Sequence, residues 1–340
     1  MAVSKKPNKK KNTLILKSNE TEIGSSIIKK GGLVAFPTET VYGLGADAFN
    51  EKAVSKIFKA KGRPADNPLI VHVSAKTQVS LIASKIPKSA QLLMKKFWPG
   101  PLTLIFQKRD IVPNNVTCNL STVAIRMPKN KIALNLIKKS GVPIAAPSAN
   151  LSGKPSPTTS KHVIEDLFGK IDAIIDGGKT KIGIESTVLD TTKDPPLILR
   201  PGGVTREMIE KVIGKVELFE GKKSIKNPLS PGLKYRHYSP NAKVILIEYS
   251  PRQRKTLRML LKQYKDYKVA VMSNKTRPKG NFDYVNLGKS ELSSSKKIFS
   301  AFRDLDKKSI QIILFEGLKE KNLGTAIMNR VKRASFKIIK

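Results

Sequence analysis

Residues 31–72 read GGLVAFPTETVYGLGADAFNEKAVSKIFKAKGRPADNPLIVH. The apolar LVAFP (33–37) predicts a buried strand that stops at a proline. Thr38, Glu39 and Thr40 follow, which ordinarily means a solvated turn. Apolar Val41, Tyr42 and Leu44 crowd them, however, so these hydroxyls are expected to line a cavity. Gly43-Leu44-Gly45 fits a dinucleotide fingerprint only loosely, because polar TETVY separates the glycines from the strand. The chain has no G-x-x-x-x-G-K-[ST] loop. Apolar periodicity then predicts a helix over 51–61, ending in Lys61-Gly62-Arg63-Pro64. Basic side chains at a helix C-terminus suit its dipole, and they equally suit a bound anion. Asn67-Pro68 leads into a second strand, PLIVHV (68–73), where His72 taken alone reads as a core histidine. A core has no use for this mixture of hydroxyls, close glycines and a Lys-x-Arg turn. A polyanion or small-molecule site does.

Working outward, apolar runs predict strands at 102–107, 123–127, 143–147, 173–177, 185–190 and 197–200. Helices are predicted at about 76–84, 88–96, 130–140, 159–168 and 205–213. They are placed too unevenly for a doubly wound repeat. The pattern predicts one α/β domain on a twisted mixed sheet over residues 13–218. Residues 219–242, FEGKKSIKNPLSPGLKYRHYSPNA, predict an interdomain linker, although Tyr235-Arg236-His237-Tyr238 suggests that it docks on something. Beyond it, strands at 243–249, 268–273, 283–288 and 310–315 alternate with helices at 252–264, 290–305 and 321–334. That alternation predicts a smaller, Rossmann-like α/β domain over 243–340. It has no glycine-rich loop after its first strand, so it is assigned no nucleotide. Residues 1–12 are a basic tail without the apolar stretch of a secretory signal.

The 340 residues carry 64 Lys and Arg against 26 Asp and Glu, a net charge of +38. Such a charge suits a nucleic-acid partner. With 51 Lys to 13 Arg, an excess spread over both parts of the chain and no aromatic-interleaved basic motif, it reads first as lysine bias. Weak tRNA contact is the second reading. No apolar run approaches the ~18 residues of a membrane span, so no membrane is expected. The one cysteine, Cys118, allows no internal disulfide and fits a reducing cytoplasm. His72, His162 and His237 lack metal-ligand spacing, and no metal site is expected.

More polar groups gather at strand ends, where small-molecule sites of α/β proteins form. In PIAAPSANLSGKPSP (143–157), Ser148, Asn150 and Ser152 follow a short buried strand, and Ser156 is expected to cap the helix beginning near Thr159. Arg126 closes VAIRM, Arg200 closes LILR before Pro201-Gly202-Gly203, and Glu185-Ser186-Thr187 opens another strand. Arginines in apolar strands are costly to bury unpaired. Two of them predict carboxylate or phosphate partners, which suit guanidinium forks.

Taken together, AFPTETVYGLG, KAKGRPADNPLIVH, WPGPLT, VAIRMP, PIAAPSAN, IESTVLD, LRPGG and PGLKYRHYSPNA resemble the threonylcarbamoyl-AMP synthases. This is the YrdC-like family in its long two-domain form, and NLGTAIMNRVKRAS resembles the close of its extra domain. The resemblance implies synthesis of threonylcarbamoyl-AMP and pyrophosphate from L-threonine, bicarbonate or CO2, and ATP with Mg2+. Downstream proteins would transfer the product to a tRNA adenosine. It assigns threonine to Thr40, His72, Arg126 and Ser186. It assigns ATP to Lys61, Arg63, Asn67, Ser148, Asn150, Ser156 and Arg200, with Lys61 and Arg63 catalytic. Tyr235 and His237 become lid residues in the linker. One rival is a double-stranded RNA-binding module without synthase activity, which would not need Arg126, His72 and Ser186 together. The other is a hydrogenase-maturation carbamoyl transferase, whose zinc-binding cysteines a chain with one cysteine lacks.

Overall fold

The computed structural model describes residues 12–219 and 237–340. The first part contains strands β1 (Leu14–Leu16), β2 (Val34–Phe36), β3 (Gly43–Asp47), β4 (Ile70–His72), β5 (Leu102–Gln107) and β6 (Thr122–Arg126). It continues with β7 (Ile144–Ala145), β8 (Ala173–Ile175), β9 (Thr187–Asp190), β10 (Leu197–Arg200) and β11 (Glu217–Leu218). Among the described residues these strands form one sheet in the order β1-β8-β2-β3-β7-β4-β6-β5-β9-β10-β11. The sheet is mixed: β4 runs parallel to β6, β6 antiparallel to β5, and β5 parallel to β9. Its helices are α1 (Thr21–Lys29), α2 (Glu51–Lys61), α3 (Val79–Ile82) and α4 (Lys88–Phe97), then α5 (Asn114–Thr117), α6 (Lys131–Ser140), α7 (Ser160–Leu167) and α8 (Arg206–Ile213).

The second part alternates β12 (Lys243–Ile247), α9 (Gln253–Gln263), β13 (Val269–Ser273), β14 (Asp283–Asn286), α10 (Glu291–Lys307), β15 (Ile312–Glu316), α11 (Asn322–Ala334) and β16 (Lys337–Ile339). Its sheet, β14-β13-β15-β12-β16, is parallel throughout. This is the Rossmann-like pattern that the alternation predicts.

The structure adds elements that the apolar pattern hides. β1 is an edge strand with Leu14 and Ile15 exposed. α1 buries Thr21, Gly24, Ser25 and Ile28, so its inner face is mostly small and polar. A Cβ at Gly24 would lie 3.1 Å from Ile175 Cδ1 and from Leu136 Cδ1. β3 contains the glycines that read as a loose nucleotide loop. A Cβ at Gly45 would sit 2.6 Å from Ile144 Cγ2 and 2.8 Å from Phe36 Cε1, so close strand packing explains that glycine. The helix expected over 76–84 is a 3-10 turn, Lys76–Gln78, followed by the short α3.

Candidate functional site

Four neighbouring strands set one row of polar side chains. His72 on β4 is the register partner of Arg126 on β6, and Arg126 is opposite Thr103 on β5. Thr103 Oγ1 lies 2.8 Å from Ser186 Oγ, just before β9. The turn between β2 and β3 closes over this row. Thr38 Oγ1 accepts from the Thr40 and Val41 amides and donates to the Val41 carbonyl, which locks the turn. Arg126 Nη1 then donates to Thr40 Oγ1 at 3.0 Å, while Nη2 lies 2.8 Å from Glu39 Oε1. Arg126 and Glu39 are both buried, so removing either would leave a charge uncompensated, a loss of about 3–5 kcal/mol. His72 is 4 % exposed and lines a cavity rather than filling a core. Burial, with the Arg126 charge beside it, pushes its pKa down to about 3. The neutral ring places Nδ1 3.2 Å from the Ile70 carbonyl.

The opposite wall is cationic. Asn50 caps the start of α2, and Gly62 ends it with φ 60°, the left-handed geometry that favours glycine. That reversal turns Arg63 inward, where Nη2 donates to the Asn67 carbonyl at 2.9 Å. Burial pushes the Arg63 pKa down to about 10. Lys61 points inward too: its ammonium donates to the Ser148 carbonyl at 2.5 Å and to the Asn150 carbonyl. Burial, with Arg63 close by, holds its pKa well below the ordinary lysine value. Lys61 thus fixes the loop whose side chains close on each other, Ser148 Oγ to Asn150 Oδ1 at 2.5 Å. Arg200, at the end of β10, puts Nε and Nη2 on the Ser186 carbonyl at 3.2 and 3.0 Å.

Both walls bound one cavity of about 640 Å³, counting its open mouth. Thr40, His72, Arg126 and Ser186 line it on the first side. Arg63, Ser148, Asn150, Ser156 and Arg200 line it on the second, with His237 over them. Two expected residues stand behind this wall. Lys61 reaches it through the Ser148–Asn150 loop, and Asn67 is fully buried with neither amide atom hydrogen-bonded. Tyr235 lies outside the described residues. Ser156 does not cap α7; Thr159 does, accepting from the His162 amide, while Ser156 Oγ donates to Glu185 Oε1 at 2.5 Å. Ser156 is three residues too early for the cap and faces the cavity instead.

Glu185, Lys154 and Tyr238 also line the cavity, without a role in the sequence reading. Tyr238 adopts φ 65°, a strained geometry for an aromatic residue, and stacks on Phe299 of α10 at 5.3 Å. Burial, with Arg63 beside it, pushes the neighbouring His237 down to about 3. Glu185, which lines the cavity, is paired with Arg330, and Glu39, next to Thr40, is paired with Arg126. Among the described residues no cluster of His, Cys, Asp or Glu could hold a metal ion. No helix among them is long and apolar enough to cross a membrane.

Comparison with known proteins matches residues 26–202 to the Sua5–YciO–YrdC family model, described as telomere recombination. Residues 204–335 match a model described as threonylcarbamoyl-AMP synthase, C-terminal domain. The chain is 50% identical over 325 residues to the threonylcarbamoyl-AMP synthase of Pyrococcus abyssi, covering 94% of this chain and 95% of that one. It is 45% identical over 331 residues to the Bacillus subtilis protein of the same name, covering 94% of each. A solved structure of Pyrococcus abyssi Sua5 complexed with L-threonine superposes with a TM-score of 0.92 at 48% identity, covering 96% of this chain and 99% of that one.

Proposed function

This chain belongs to the threonylcarbamoyl-AMP synthase family, and from that premise we propose how its cavity joins L-threonine, CO2 from bicarbonate, and ATP into threonylcarbamoyl-AMP and pyrophosphate. The observation that carries the reading is the two-sided cavity. A neutral histidine, one arginine and hydroxyls form one wall, and Arg63, Arg200 and the Ser148–Asn150 loop form the other.

Arg126 takes the threonine carboxylate, because a guanidinium already braced on Glu39 and Thr40 presents a fixed fork. Thr40, Ser186 and the uncharged His72 supply hydrogen bonds for the amine and hydroxyl without adding charge. ATP lies along Arg63, Ser148, Asn150, Ser156 and Arg200, with Lys61 holding their loop and the Asn67 carbonyl bracing Arg63. The amine nitrogen of threonine forms a bond to the CO2 carbon and loses a proton to water, giving a carbamate. A carbamate oxygen then attacks the α-phosphorus; the bond to the α–β bridging oxygen breaks and pyrophosphate leaves. The protein acts by positioning and by offsetting charge, with no covalent intermediate. Glu185, which lines the cavity, is engaged by Arg330, so Mg2+ would enter on the triphosphate, where it would offset phosphate charge.

In this division of labour residues 13–218 catalyse and 243–340 support the site, with His237 as a lid residue; Tyr235, the other lid candidate of the linker 219–242, lies outside the described residues. The product would pass to cytoplasmic proteins that modify tRNA. Weak contact with tRNA is favoured by a groove where Lys265, Lys268, Arg277 and Lys279 surround Tyr267 and Phe282. Part of this cluster is contiguous, KQYKDYK at 262–268, and the fold brings Arg277, Lys279 and Phe282 to it from a second segment. A double-stranded RNA module without synthesis leaves the threonine wall unexplained. Incubation with 13C-bicarbonate, L-threonine, Mg2+ and ATP is expected to yield threonylcarbamoyl-AMP with the label on its carbamoyl carbon. Product without the label would refute the route.

A further inference from the structure

Two arginines of the C-terminal part reach across to the first part, and both end beside residues of the cavity. Arg330 on α11 is fully buried. Its Nε lies 2.7 Å from Glu185 Oε2, and its Nη1 donates to the Pro201 carbonyl at 3.0 Å. Glu185 accepts from Ser156 on its other oxygen, and Pro201 follows Arg200. Arg303 on α10 is 6 % exposed. Its Nη2 donates to the Pro155 carbonyl and to Asp166 Oδ2, each at 2.7 Å. Pro155 precedes Ser156, and Asp166 Oδ2 accepts from the Leu151 amide, next to Asn150.

We infer that Arg330 and Arg303 form a clamp through which the C-terminal part sets the nucleotide wall of the cavity, fixing Ser156 and Arg200 from one side and Asn150 and Ser156 from the other. The inference rests on the reading that these three residues hold ATP. A buried arginine that spans a carboxylate and a carbonyl gives both a direction and a distance, which a lysine's single ammonium cannot. The interface has other contacts, such as Ser295 Oγ to the Ile182 carbonyl and the exposed pair Lys307–Glu165. Those hold the two parts together without touching the loop 150–156 or the end of β10. The threonine wall is braced from within the first part, by Glu39 and Gly100 on Arg126. Glu185 also precedes Ser186 of the threonine wall, so Arg330 bears on both walls and Arg303 on the nucleotide wall alone; both are positioning residues.

Arg330→Lys and Arg303→Lys keep each charge and lose the fork. In the full-length chain, steady-state rates give KM for ATP and for L-threonine separately. Each variant is expected to raise KM for ATP about 10-fold or more, as misplacement of binding groups does. In Arg303→Lys, KM for threonine is expected to stay within about twofold. Lys307→Ala, at the same boundary, is expected to change neither. Unchanged KM for ATP in both lysine variants would overturn the clamp. Equal rises in both constants in Arg303→Lys would also overturn it, because they mark general loosening. Should Arg303→Lys fail to fold, Arg303→Met combined with Asp166→Asn removes both buried charges, and the same selective loss is expected. Calorimetry on the unaltered chain separates the premises: no ATP binding there would overturn the ATP reading, before any variant is compared.

Discussion

His72 and Arg126 face each other in register on the parallel strands β4 and β6, an uncharged ring beside a braced guanidinium. Sheet register, rather than nearness in sequence, makes them a pair. It also fixes what each contributes: Arg126 the charge for a carboxylate, and His72 a polar edge that does not repel a substrate amine.

Arg126→Lys keeps a positive charge near Glu39 and loses the fork toward Thr40 and a ligand carboxylate. A charge-assisted hydrogen bond is worth about 1.5–3 kcal/mol, so KM for threonine should rise roughly 10- to 100-fold. KM for ATP should change by less than about threefold. Equal rises in both constants would refute the assignment of Arg126 to threonine.

Lys61→Ala and Arg63→Ala should each abolish turnover, for different reasons. The first frees the carbonyls of Ser148 and Asn150 that the ammonium ties together; the second removes a cation from the cavity wall. Circular dichroism should show folded protein for both. Near-normal rates in the two variants would refute their placement.

Acid should weaken the fold through His72. Its folded pKa of about 3 lies below the ordinary histidine value of 6.5, so the unfolded chain binds the extra proton between those values. Stability is therefore complete above about pH 6.5 and is lost as pH falls toward 3. At pH 5 this one group should cost about 2 kcal/mol. Urea melts at pH 7 and pH 5 check it: His72→Asn should flatten the difference by that amount, and an unchanged difference would refute a buried neutral ring.

Gly202→Ala should damage the site from a distance. A Cβ there would lie 2.3 Å from both Ser186 C and Thr187 N, backbone atoms at the start of β9 that cannot swing aside. Displacing them moves Ser186 and the carbonyl that anchors Arg200. A loss of at least about 1–3 kcal/mol, with lower kcat/KM for both substrates, is expected. Wild-type melting and rates would show that the approach is not tight.

Much of this site was legible in the chain because its residues sit at strand ends next to prolines and glycines. Arg126, Ser148, Ser186 and Arg200 were found that way, and the resemblance joined them to Thr40 and His72. α2 was fully legible, its ends marked by Asn50 and the Lys-Gly-Arg reversal. α1 was not, because Gly24, Ser25 and Ser26 in its middle are weak helix formers that read as a turn. β3 was hidden because its glycines are there for packing and look like a loop. Arg330 and Arg303 were hidden for another reason. On a lysine-rich chain, a basic residue in a helix reads as surface charge, and only the fold shows Glu185 and Asp166 waiting across the boundary.

The most direct test measures pyrophosphate released from ATP by the full chain in Mg2+ and bicarbonate, with and without L-threonine. The account predicts release that depends on threonine and matches threonylcarbamoyl-AMP mole for mole. Release at the same rate without threonine would contradict it.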